Sequence, residues 1–458
     1  MDCTGPDIRD IRCAPSTYCN HWRDRIPILT VSAGISFLRR TVTEIDGIAM
    51  RIARLAKLTF KFLAGLVILG VVGISVILGS MWLDHRTATT LPLPTGPFAV
   101  GRTSYAWVDD TQTDKLAPRP GIPRELVVWI WYPAAGHSAA PMADYLPVPW
   151  RVAVEQYRGT FISNFLERDL SRVRTHSARD PDVSPQQPAF PVAIMRPGAS
   201  ALTAEYAVLA EDLASHGYVV VGFDAPYRTQ VVVFPDARVI TRAPDNNPEL
   251  FFGADLERVG NKLLEAWTSD MVLVLDRLER LNAADPAGKF TGRLDLDHVG
   301  VFGHSLGGAT ALQFCHDDHR CKAGADIDGL ALGNVVREGL HKPFMFLMSD
   351  HSSEAADPAT GRIEADLKAI YDRLPSGERF WIMIRNANHY GFSDGAVLRS
   401  PHMQRVLQIL GVIGVDGPRQ LAITTYYLHS FFDVYLKGSS RSTLDRPSPL
   451  YPETQMSY

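Results

Sequence analysis

The 458 residues are 46% hydrophobic and 21% charged and carry a formal charge of −4, ordinary values for a folded chain that exclude wholesale disorder. The length suits one large domain or two average ones. A slightly acidic balance with no long basic run leaves nucleic-acid binding without support, and no internal repeat or low-complexity tract is present.

Residues 1–49 hold Cys3, Cys13, Cys19 and scattered arginines without sustained periodicity. From 62 to 83 no charge occurs, enough to cross a hydrocarbon core as a helix. Arg51, Arg54, Lys57 and Lys61 crowd its N-terminal side, so residues 1–61 are expected in the cytoplasm and everything after Asp84 outside it. Trp82 suits the membrane interface. The run is longer than a signal-peptide core and no A-x-A site follows, which favours an uncleaved anchor over a cleaved, secreted form. A basic start directly before an apolar run is what an export signal needs, so Met50 is expected to be the true first residue.

Residues 84–95 read as a polar, Pro-containing tether, 96–440 as the folded domain and 441–458 as a tail. A strand is expected at 126–132 (LVVWIWY). The stretch 137–187 reads as an insertion with a helical middle near 150–170, either a cap over a site or an edge decoration. A strand at 191–195 precedes the turn Arg196-Pro197-Gly198-Ala199-Ser200, then a helix at 206–216 and a strand at 218–223. A hairpin is expected over 230–241 and a long amphipathic helix over 256–281. Further strands are expected at 298–302, 323–327, 343–348 and 380–384, and a closing helix at 418–436. This alternation predicts an α/β fold, a mostly parallel sheet with helices on both faces. Active sites in such sheets lie at the carboxyl ends of the strands. Ser305, Asp328, Asp350 and His389 all fall at such ends.

The stretch HVGVFGHSLGGATALQF joins a β-branched run to a helix-forming run through Gly303-His304-Ser305-Leu306-Gly307. A strand-to-helix turn this sharp projects its central hydroxyl above the sheet, and its flanks must be nearly free of side chains. Ser305 is therefore the candidate nucleophile. A serine hydroxyl needs a base. His389 is the well-placed histidine downstream, whereas His402 lies in a stretch that reads as a surface turn and His429 in the closing helix. The imidazole needs a carboxylate partner. Asp350 and Asp328 both follow strands, with position slightly favouring Asp350. The N–H of Leu306 should supply one oxyanion donor and the 196–200 turn the second. His304 reads as structural.

Cys315 and Cys321 flank the short loop CHDDHRC. A disulfide is expected if this part of the chain lies outside the cytoplasm, with two free thiols as the alternative. Metal ligation through His316 and His319 lacks the usual zinc spacings. Neither H-E-x-x-H nor a dinucleotide fingerprint occurs, so no metal or organic cofactor is implied.

The stretch FPVAIMRPGASALTAEYAVLAEDLASHGYVVVGFDAP, the elbow GHSLGGAT, the segment AGADIDG and the loop NHYGFSD resemble the platelet-activating-factor acetylhydrolase family, and more closely its bacterial esterase relatives. GPFAVGRTSYAWVDD and WIWYP are also similar, and the motifs occur in order over most of residues 96–436. The resemblance implies an α/β-hydrolase fold and a serine carboxylic ester hydrolase working through an acyl-enzyme. It implies short-acyl or oxidised phospholipids, or other small esters, as substrates. It also implies Asp328 rather than Asp350 as the acid and the N–H of Ala199 as the second oxyanion donor. The chain departs from the family at Arg196-Pro197-Gly198, where a His-Gly pair is common. Two other readings stay open. A dienelactone- or polyester-type hydrolase is one, although dienelactone hydrolases typically carry cysteine where this chain has serine. A catalytically inactive, membrane-anchored binding module is the other, and it would be marked by a missing triad member; none is missing.

Overall fold

The computed structural model describes residues 31–136, 140–199, 201–352, 358–410 and 414–457. Cys3, Cys13, Cys19 and the first residues of the 137–187 stretch lie outside these. The chain divides into two units, Met1–Val76 and Ile77–Tyr458.

Helix α1 runs unbroken over Val31–His85. The expected span of 62–83 is thus the second half of a longer helix. A helix once nucleated adds residues at little cost, and 31–49 contain no proline to stop it, so a missing apolar period there does not end it. Its apolar side chains, Leu63, Ile68, Val72 and Ile77 among them, are exposed. By length and composition the helix is able to cross a membrane.

In the second unit the elements follow as β1 (Thr89–Thr90), β2 (Ala99–Thr113), β3 (Pro123–Ala134), β4 (Met142–Asp144), α2 (Val148–Arg158) and β5 (Val173–Arg179). Next come β6 (Phe190–Arg196), α3 (Ala207–Ser215), β7 (Val219–Asp224), the hairpin β8 (Val231–Val233) and β9 (Val239–Thr241), and α4 (Gly253–Ala283). The second half holds β10 (Leu294–His304), α5 (Leu306–Asp317), β11 (Cys321–Ile327), α6 (Val335–Glu338), β12 (Phe344–Met348), α7 (Pro358–Arg373) and β13 (Arg379–Ile384). It closes with α8 (Gly395–Leu398), α9 (Pro401–Ile409), α10 (Gly417–Lys437) and β14 (Thr454–Ser457).

One 12-stranded sheet has the order β1-β5-β2-β3-β7-β6-β10-β11-β12-β13-β14, with β4 paired to β5. From β7 to β13 every neighbouring pair is parallel, while β2, β3 and β14 join antiparallel. The parallel centre is buried on both faces, which explains its continuous Val/Ile/Met runs. Side chains alternate between two cores because the strand period is two. Val192 and Ile194 of β6 join α4, α5 and α7 in one cluster. Ala193 and Met195 join α3 and α10 in the other.

Three expectations change. Residues 84–95 are not a free tether: β1 pairs with β5, Leu91 is buried, and the N–H and Oγ of Thr95 donate to Asp212 Oδ1 at 2.9 and 2.8 Å. The 137–187 stretch supplies β5 to the central sheet rather than only covering it. Its inward residues include Thr175 and Ser177, which hide the strand from a hydrophobicity reading. They are buried because Ala143 O and the Glu211 carboxylate accept their hydroxyls. The 441–458 tail likewise adds β14 to the sheet edge.

Cys315 and Cys321 form a disulfide across a sequence separation of 6, between the end of α5 and the start of β11. Loop-closure entropy for so short a ring gives a stabilisation of about 2 kcal/mol. Cys315→Ser with Cys321→Ser should lower the urea midpoint accordingly, and reductant should do the same to the parent chain but not to the double variant.

Candidate active site

β10 ends at His304 and α5 begins at Leu306, so Ser305 alone makes the turn, at φ 58° and ψ −127°. A non-glycine residue held there stores about 1–3 kcal/mol, sustained by its surroundings. Ser305 N–H donates to Ile327 O at 3.0 Å, and Gly308 N–H donates back to Ser305 O at 2.9 Å. The glycines are required by contact. A Cβ on Gly303 would lie 2.1 Å from Gly307 O, and one on Gly307 would lie 2.1 Å from Arg196 O.

Asp328 follows β11, itself at φ 51°, with its side chain fully buried. Its Oδ1 accepts from Ser349 N–H at 2.8 Å and from His351 Nε2 at 3.0 Å. Its Oδ2 accepts from Ser349 Oγ at 2.8 Å and from His389 Nδ1 at 2.8 Å. Burial alone would raise this carboxyl's pKa. The hydrogen bonds and charges of His351 and His389 outweigh it and hold the group far below the ordinary carboxylate range. His389 opens the turn after β13, one-third exposed. A bond from Nδ1 to the carboxylate leaves the lone pair on Nε2.

His304 ties these parts together. Gly198 N–H donates to Tyr206 Oη at 3.3 Å, Tyr206 O–H donates to His304 Nδ1 at 2.7 Å, and His304 Nε2–H donates to His389 O at 2.9 Å. One chain of hydrogen bonds therefore runs from the 196–199 turn through the elbow to the His389 loop. Burial, then the neighbouring His389, lowers the His304 pKa to about 3, which keeps the ring neutral.

The 196–199 turn lies against the elbow, since a Cβ on Gly198 would sit 3.3 Å from Ser305 Cβ. Ala199 packs on the same apolar cluster as Leu306, and its carbonyl accepts from Arg242 Nη1 at 3.0 Å. Leu306 is the first residue of α5, so its N–H has no acceptor inside the helix. Arg196, where the chain departs from the His-Gly pattern, turns away into the core. Its guanidinium lies 3.8 Å over the Trp267 ring and donates to Phe223 O at 3.0 Å.

Asp350 is placed differently. Its carboxylate accepts from Asn386 N–H at 2.8 Å and Ser352 N–H at 3.1 Å, bracing the loop before His389 rather than the imidazole. His402 is not in a surface turn but opens α9, its Nδ1 on Asp84 Oδ2 at 2.6 Å. His429, on α10, pairs with Asp212 Oδ2 at 3.2 Å. Among the described residues, Asp212, His216 and His429 bring metal-ligating atoms within 4.8 Å of one another. They lie on α3, at its end and on α10, where the chain enters β7 and not at the carboxyl ends of the strands, and the two rings stack at 3.9 Å. Sequence reasoning passed over His351; its position two residues beyond Ser349, at the carboxyl end of β12, was the available signal.

The sequence model of the family described as platelet-activating factor acetylhydrolase, isoform II, matches residues 278–431, which include the elbow and the Asp328 and His389 segments. A probable 1-alkyl-2-acetylglycerophosphocholine esterase of Arthroderma benhamiae is 26% identical over 79% of this chain and 92% of its own length. The platelet-activating factor acetylhydrolase of Cavia porcellus is 21% identical over 74% of this chain and 79% of its own. Among solved structures, a ferulic acid esterase from Streptomyces cinnamoneus superposes with a TM-score of 0.66 at 27% identity, over 81% of this chain and 99% of that one. An elbow on an α/β sheet, carried by a chain whose relatives are esterases along most of their length, leads to one assignment: the chain is similar to the platelet-activating factor acetylhydrolases and is an α/β-hydrolase, a serine-type carboxylic ester hydrolase.

Proposed function

We propose that Ser305 is the nucleophile, His389 the general base and Asp328 the acid that orients it. His389 Nε2 takes the hydroxyl proton as Oγ attacks the ester carbonyl. The N–H groups of Leu306 and Ala199 receive the developing oxyanion. The proton returns to the departing alcohol, and water, deprotonated by the same imidazole, releases the acid from the acyl-enzyme. The observation that carries this reading is the 2.8 Å bond from His389 Nδ1 to a buried Asp328 beside the strained Ser305 elbow.

The substrates we propose are esters of short acyl groups, acetylated glycerophospholipids among them, in keeping with the names of the relatives. The ferulic acid esterase likeness supports a second reading, small aromatic esters. The test is hydrolysis, by the detergent-solubilised full chain, of p-nitrophenyl esters from acetate to palmitate, a 1-alkyl-2-acetyl phospholipid and methyl ferulate. Rates that fall steeply with acyl length, with turnover of the acetyl phospholipid, support the first reading. Faster turnover of methyl ferulate than of any acetyl ester replaces it with the second.

We further propose that the apolar part of α1 anchors the protein uncleaved, with the residues after Asp84 on the extracytoplasmic side. The basic flank of the apolar run and the Cys315–Cys321 disulfide support this topology. The hydrolase domain should be digested by protease added to intact cells, and the chain should stay in the membrane pellet after carbonate extraction.

A further inference from the structure

We propose that His351 is a positioning residue for the reaction: a second imidazole on the Asp328 carboxylate, acting through it on His389. The inference rests on reading Asp328 as the acid of the triad.

The geometry is specific. Four donors share two buried oxygens, and each oxygen carries one imidazole, His351 on Oδ1 and His389 on Oδ2. Ser349 bridges both oxygens with its N–H and Oγ, and its Oγ lies 3.2 Å from His351 Nε2. The carboxylate therefore cannot turn without breaking bonds on both edges, and the plane so held points Oδ2 at the base. A neutral His351 donating from Nε2 supplies one of these restraints. A protonated His351 supplies a positive charge as well, on the far side of the carboxylate that stabilises the imidazolium of His389.

His389 faces Asp328, the ring of His304 at 4.5 Å and the ring of Tyr390 at 5.5 Å. His304 stays neutral. Beside His351 stands Asp350, whose carboxyl is held low: burial opposes this, but the N–H of Asn386, the hydroxyl and N–H of Ser352 and the charge of His351 prevail. Behind Asp328 lies Asp326, its carboxyl raised well above the ordinary range by burial and then by the Asp328 charge. These neighbours are common to the parent chain and to any His351 variant.

The sign follows. A proton on His351 opposes a proton on His389, and the N–H of His351 draws charge from the carboxylate that would otherwise favour the imidazolium. Both effects keep the base free at lower pH. Removing His351 should let His389 protonate at higher pH, so activity is lost earlier on acidification.

The experiment is the pH profile of kcat/KM for p-nitrophenyl acetate in the full chain, its His351→Gln and its His351→Ala variants. Glutamine keeps an N–H for Oδ1 and removes the titrating charge, whereas alanine removes both. The acid limb should move up by about half to one pH unit, further in His351→Ala, with the plateau falling more in His351→Ala than in His351→Gln. A thermal scan separates this from unfolding, because a merely structural role changes the melting temperature without moving the limb. Acid limbs that coincide with that of the parent chain in both variants overturn the proposal. Should His351→Ala fail to fold, the His351→Gln profile decides alone. Asp328→Asn is run beside them: if it retains activity, the triad reading falls and the His351 inference with it. If it is inactive while the limbs coincide, only the His351 inference falls.

Discussion

Ser305→Ala should lower kcat on p-nitrophenyl acetate by at least about 10⁴-fold while leaving the melting temperature within a degree or two of the parent. The two halves of this expectation have separate causes. Alanine keeps the Cβ, so the strain at φ 58° and the backbone bonds to Ile327 and Gly308 are the same in both chains. Only the Oγ is lost, and with it the covalent route, because no acyl-enzyme can form. What survives is the background that an oxyanion hole and binding provide to attacking water. A Ser305→Ala variant within tenfold of the parent would show that the hydrolysis runs through another nucleophile. Loss of the fold in the variant would show instead that the hydroxyl, not the backbone, holds the elbow.

Asp328→Asn should lower kcat by about 10⁴-fold, and Asp350→Asn by less than about tenfold. Asn cannot present two acceptors. One edge of its amide becomes a donor, set against either His389 Nδ1–H and Ser349 Oγ–H or Ser349 N–H and His351 Nε2–H. If it faces His389, the ring must move its proton to Nε2 and can no longer accept from serine. Asp350 accepts from Asn386 N–H and from Ser352, so its loss loosens the loop before His389 without inverting a hydrogen bond to the ring. Equal losses in the two variants would remove the distinction between these carboxylates.

The same variant carries a stability signature. The Asp328 carboxyl is depressed in the folded state, because the hydrogen bonds from two imidazoles exceed the effect of its burial. Its contribution is therefore fully present above the ordinary unfolded pKa, about 3.9, and is lost progressively as pH falls from there through the depressed folded-state value. Urea midpoints of the parent and of Asp328→Asn should differ at pH 7, and the difference should shrink steadily as pH falls below about 4.

The turn at Ser305 was legible in the sequence because its geometry is local. Gly303, Gly307 and Gly308 around the serine, with a β-branched run before and a helix-forming run after, dictate a turn that only a few backbones can make, and the structure puts φ 58° at that residue. The parallel centre of the sheet was legible for a similar reason, since strands buried on both faces read as uninterrupted apolar runs. Strands whose partners matter more than their hydrophobicity were not legible. β1, β5 and β14 hold polar or small residues that are stable only against distant groups: the Glu211 carboxylate for Ser177, and the antiparallel edge of β13 for β14. The site divides along the same line. Asp328 and Asp350 each follow a strand, and the pattern around them does not say which reaches the imidazole. His351 is invisible until β11 and β12 lie side by side and bring Ser349 and His351 to the Asp328 carboxylate. Short-range spacing determined which residue types were available at the strand ends. The pairing of those residues depends on contacts between segments 21 and 61 positions apart, and only the packed sheet specifies them.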